Sequence, residues 1–135
     1  MPPTCRPTRS SSSRSWRPPR ATPSCNWPRW PVFDRRLYER AGDVITLLRE
    51  AGRAEPELAA VYRDGRSRAD QTRVAVFSLW PAGVLRERLD VPTAVDVYAG
   101  LCSVDVYRTL TDERGWSPGQ VEQWWAETLA RELLK

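Results

Sequence analysis

A chain of 135 residues fits one domain with a single core. It has no histidine and three cysteines without a C-x-x-C spacing, so the usual general base is missing and neither a disulfide framework nor a zinc site is expected. The formal charge of +4 is uneven: residues 1–31 hold six of the 21 basic residues and no acid, which leaves 15 basic against all 17 acidic groups, a net of −2, in the rest.

Residues 1–31 carry eight of the twelve prolines and a run of four serines, and they contain no Leu, Ile, Val or Phe. Such a stretch neither propagates a helix nor buries enough apolar surface to offset its ordering entropy. It is expected to be disordered, with the folded body running from 32 to 135. Its arginines suit a basic arm on nucleic-acid phosphates. Its composition also suits a transit peptide, although the prolines spoil the amphipathic helix, and it equally suits G+C-rich DNA read from a misplaced start or shifted frame. A secretory signal is excluded, because there is no apolar h-region.

From Val32 onward the pattern is helical. Leu37, Ala41, Val44, Ile45, Leu48 and Ala51 fall on one stripe of a first helix that ends near Gly52. Glu55–Pro56 opens a second, to about residue 79, with Leu58, Val61, Tyr62, Gly65, Ala69, Thr72, Val76 and Leu79 as its stripe. Arg63, Arg66, Arg68 and Arg73, with Asp64 and Asp70, lie largely off that stripe and read most simply as a solvated face. Pro81 and Gly83 then break the helix into a loop. Asp90 is a plausible N-cap for a third helix to about Leu101, and Ser103 caps a fourth segment stopped by Gly115. Ser117, Pro118 and Gln120 give the last helix an N-cap, a proline at N1 and a capping box. No segment alternates convincingly with period two, and the expected fold class is all-α.

The last helix carries Trp124 and Trp125 side by side. At about 100° per residue, Trp124 and Trp125 flank Val121 and Thr128 on an apolar band roughly 180° wide. A band that wide asks for two partners. Trp125, Leu129 and Leu133 are expected to pack within the domain, and Trp124, Val121 and Thr128 against a second copy. A monomer core that takes both tryptophans is the alternative.

No glycine-rich phosphate loop, nucleophile elbow or clustered metal-ligand set appears, so no catalytic residue, metal or cofactor is assigned and an enzyme is not expected. Nor does any segment read as a recognition helix, so sequence-specific DNA binding by this chain alone is not expected. No apolar run approaches a membrane span, which with the cysteine usage implies a soluble, cytoplasmic protein.

One stretch is more specific. Residues 91–134 resemble the C-terminal end of TetR/AcrR-family transcriptional regulators through Ala94, Asp96, Ser103, Tyr107, Arg108, Leu110, then Glu113–Arg114–Gly115–Trp116–Ser117–Pro118, then Trp124, Leu129, Leu133 and Leu134. Val104 stands where this group often has proline. The second helix and the loop at 83–91 look like upstream parts of the same domain. The resemblance implies a helical bundle of the TetR C-terminal type that binds a small hydrophobic effector and forms a homodimer, with the N-terminal helix-turn-helix replaced by the proline-rich segment. It implies Tyr38, Tyr62, Phe77, Trp80 and Tyr98 as effector-cavity aromatics, for which ordinary core packing is the alternative. It implies a dimer contact through Tyr107, Leu110, Trp116, Val121, Trp124 and Thr128. A cavity is expected between the first three helices, where Gly65, Ala69 and Thr72 leave room, although close helix approach also explains those small residues. A ligand-free helical interaction module or a truncated gene product is the rival reading.

Overall fold

The computed structural model describes residues 29–135, and over these the chain is all-helical, with no strand. The helices are α1 (Arg29–Ala51), α2 (Pro56–Ser78), α3 (Val91–Leu101), α4 (Val104–Arg108), which passes straight into a π-helical turn (Thr109–Glu113), and α5 (Pro118–Leu133). No described helix is long and apolar enough to cross a membrane.

The segment expected to be disordered lies largely outside the described residues, but its last three are a correction. Residues 29–31 form the first turn of α1, and the boundary at 31/32 falls inside a helix. A proline is tolerated there because first-turn N–H groups have no intrahelical acceptor to lose. Pro31 is fully buried, and Trp30 packs on Phe77 at 5.3 Å and on Tyr98 at 5.5 Å between ring centroids. Burial of Pro31 and the packing of Trp30 hold a helix start that composition alone argued against.

The caps are where the spacing predicts them. Asp90 accepts from the Thr93 amide at 2.8 Å and Ser103 from the Val106 amide at 3.2 Å. The capping box of α5 closes in both directions: Ser117 Oγ accepts from Gln120 N at 3.2 Å, and Gln120 Oε1 from Ser117 N at 2.8 Å. Each satisfies an amide that the first turn would otherwise leave unpaired.

A short turn joins α1 and α2, and its length makes them antiparallel neighbours. Gly52 fixes their closest approach: a Cβ there would stand 2.9 Å from the Leu48 carbonyl and 3.0 Å from Ala59 Cα. Helix α1 also packs on α4 and α5, while α3 bridges α2 and α5. The largest fully buried side chains are Trp125, Tyr98, Phe77, Leu129, Leu133 and Val121, so the core lies between α5, α3 and the far ends of α1 and α2. The C-terminus closes it, Arg86 N donating to the Leu133 carbonyl at 2.9 Å and Lys135 N to that of Val84 at 3.1 Å.

Two predicted stripes are rotated relative to the core. On α1, Leu37 and Val44 are exposed, while Asp34, Tyr38 and Gly42 turn inward. On α2, Val61 is exposed and Leu79 is 84 % exposed. Both helices have a second apolar face, which the core does not use.

Candidate ligand-binding groove

That second face opens a cavity of about 840 Å³ between α1, α2 and the α3–α4 junction. Phe33, Leu37, Ile45 and Leu48 line it from α1, and Val61, Tyr62, Gly65, Ala69 and Thr72 from α2. Tyr98, Ala99, Cys102 and Val104 lie between them. Gly65 does not serve close packing here, for a Cβ added to it would meet nothing within 4 Å. Close approach belongs to Gly52, one end of the hairpin, and open space to Gly65.

A polar cluster stands within the lining. The Tyr98 hydroxyl donates to Asp34 Oδ2 at 2.5 Å, and the other carboxylate oxygen faces Arg73 Nη2 at 3.7 Å. Arg73 pairs more closely with Asp70, at 3.1 Å, and its guanidinium lies 4.5 Å from the centroid of the Tyr98 ring. The Tyr38 hydroxyl donates to the Cys102 carbonyl at 2.7 Å, closing the junction of α3 and α4 against α1.

Burial dominates the protonation of these groups. Desolvation raises the pKa of Asp34 although the Tyr98 hydrogen bond and the Arg73 charge oppose it. Desolvation, reinforced by Asp34, likewise pushes the Tyr38 and Tyr98 phenols and the Cys102 thiol above their ordinary values. Those three groups therefore stay protonated at neutral pH. The thiol is not set up as a nucleophile, which requires its thiolate. Among the described residues no three Cys, Asp or Glu stand together as a metal site.

Of the five aromatics assigned to a cavity, Tyr38, Tyr62 and Tyr98 line the groove. Phe77 and Trp80 do not, and are corrected. Phe77 is 2 % exposed, meets the tilted ring of Trp80 at 4.6 Å between centroids, and belongs with Trp80 to the core and to a smaller cavity of about 330 Å³ beside the loop after α2. Eight residues on from Ala69, Phe77 has turned about 80° toward α3.

The six residues assigned to a dimer contact also divide. Val121 is completely buried within its own chain, and Tyr107 and Thr128 are nearly so, Thr128 Oγ1 having no hydrogen-bond partner. These three offer a second copy almost no surface, a correction to the assigned dimer contact, and α5 packs instead against α1 of its own chain. Leu110, Trp116 and Trp124 remain partly accessible. Trp116 and Trp124 meet edge to face, their ring centroids 6.2 Å apart.

Sequence reasoning missed Asp34, Arg73 and Trp30. Asp34 had a signal: it lies four residues before Tyr38, on the same helix face. Arg73 was read as solvated, yet its side chain is 13 % exposed. Compared with known proteins, the chain matches no family model, no curated protein and no solved structure.

Proposed function

We propose that the chain is the effector-binding and dimerising domain of a TetR-like regulator, and that a small apolar molecule binds in the groove between α1 and α2. The observation that carries this reading is the groove itself. Its volume suits a small-molecule site, its lining is mostly apolar, and a few polar groups converge within it. A two-fold contact between copies would use the accessible edge of α5 at Trp124 and the loop before it at Trp116.

An effector that fills the groove stabilises the folded chain and raises its melting temperature with concentration. Gly65→Leu puts a side chain into the open space without touching the core, and is expected to abolish that rise. The reading fails if apolar ligands raise the melting temperature of neither protein, or of both alike.

A second reading has one observation in its favour. Phe33, Leu37, Val44 and Leu47 make an exposed apolar stripe along α1, Phe33 being 66 % exposed, which suits a helical interaction module. A chain that self-associates through this face would lose association on Leu47→Glu, whereas the first reading predicts no change.

A further inference from the structure

Resting on the reading of the groove as a small-molecule site, we propose that its ligand is an elongated anionic amphiphile: a linear apolar chain ending in a carboxylate. Shape and charge point there independently.

The lining residues of α1 run from Trp30 to Leu48, eighteen helical steps, so the groove extends for about 27 Å along the helix. Phe33, Leu37 and Val61 line it while remaining exposed, so apolar surface faces solvent along it. A linear chain laid along that path would cover all three, and each buried methylene contributes about 0.8 kcal/mol. A compact ligand would leave one end bare.

The charge of the lining is one-sided. It holds four arginines, Arg36, Arg66, Arg68 and Arg73, against a single acid, Asp34. Asp34 and Arg73 are already engaged with each other, with Tyr98 and with Asp70. Arg36, Arg66 and Arg68 are exposed and make no ion pair among the described residues. The guanidinium fork suits a carboxylate, which takes two parallel N–H···O bonds. A cationic head group would meet only Asp34, whose oxygens are taken, and three arginines that no close ion pair neutralises.

The test uses the whole chain and three probes of one chain length below their micellar concentrations: dodecanoate, dodecanol and dodecyltrimethylammonium. Dodecanoate is expected to bind about tenfold tighter than dodecanol, the worth of a charge-assisted hydrogen bond at a partly open site. Raising the salt should narrow that gap. Arg66→Glu with Arg68→Glu should weaken dodecanoate far more than dodecanol, so that the preference is lost. Both positions are exposed, so the fold should survive, and an unchanged helical circular-dichroism spectrum verifies it. Equal binding of all three probes would overturn the anionic proposal and leave the groove a general apolar site. Preference for the ammonium probe would overturn it in favour of Asp34 as the anchor. Binding of no probe would overturn the reading of the groove together with the proposal.

Discussion

Asp34, near the start of α1, accepts a hydrogen bond from the hydroxyl of Tyr98, 64 residues later at the heart of α3. The contact ties the first helix to the core through a carboxylate that is 4 % exposed. Burial of such a group is costly when it is charged, and Asp34 accordingly has a raised pKa, desolvation being the main cause. With its folded value above the ordinary 3.8, its contribution to stability is full below that pH and is lost as pH climbs through the raised value. Asp34→Asn keeps an acceptor for Tyr98 and removes the charge. The stability of the variant relative to wild type is expected to rise between about pH 3.5 and pH 7, measured by urea unfolding. The opposite slope would mean that the Arg73 pairing outweighs burial.

Trp124 and Trp125 should respond differently. Trp125 has 0 % exposure and meets Tyr38 at 6.0 Å and Tyr107 at 6.2 Å. Its replacement by alanine is expected to cost about 3–5 kcal/mol, the range for a large core aromatic. Trp124→Ala loses chiefly the edge-to-face pair with Trp116, about 1 kcal/mol. With glutamate instead, Trp125 variants should fail to fold, while Trp124→Glu should fold and, by sedimentation, convert a wild-type dimer to monomer. Like behaviour of the two glutamate variants would contradict this division of faces.

Two glycines predict opposite signs. Gly52→Ala drives a methyl against backbone atoms of Leu48 and Ala59, so neither neighbour can yield cheaply, and stability should fall. Gly65→Ala sits mid-helix in open space and should raise stability by about 1 kcal/mol from helix propensity alone. Thermal melts of the two variants decide it, and a loss at Gly65 would show that the groove is closed in solution.

Ser117→Ala removes the acceptor for the Gln120 amide and half of the capping box. The expected loss is about 1 kcal/mol. Gln120→Ala, which removes the reciprocal bond, should cost little once Ser117 is already alanine, because the two act as one unit. Additive losses in the double variant would show two independent caps.

What the sequence determined by itself was local. Caps at Asp90, Ser103 and Ser117, the breaks at Pro81 and Gly115, and the all-helical class all follow from short-range rules, since a cap or a turn is decided by residues three or four apart. Trp125 could be turned inward from the 100° step alone. The tertiary structure decided what each face meets. Periodicity marks a face as apolar without saying whether a core, a groove or a partner covers it, and so it put Leu37 and Val61 on the main stripes of their helices and Val121 at a dimer contact. It passed over Asp34, whose spacing to Tyr38 marks a shared face but not the partners far along the chain, Arg73 and Tyr98, that receive a buried acid. Nor can it distinguish Gly52 from Gly65: one glycine lets two helices touch, the other leaves a space between them, and only the positions of the second helix make the difference.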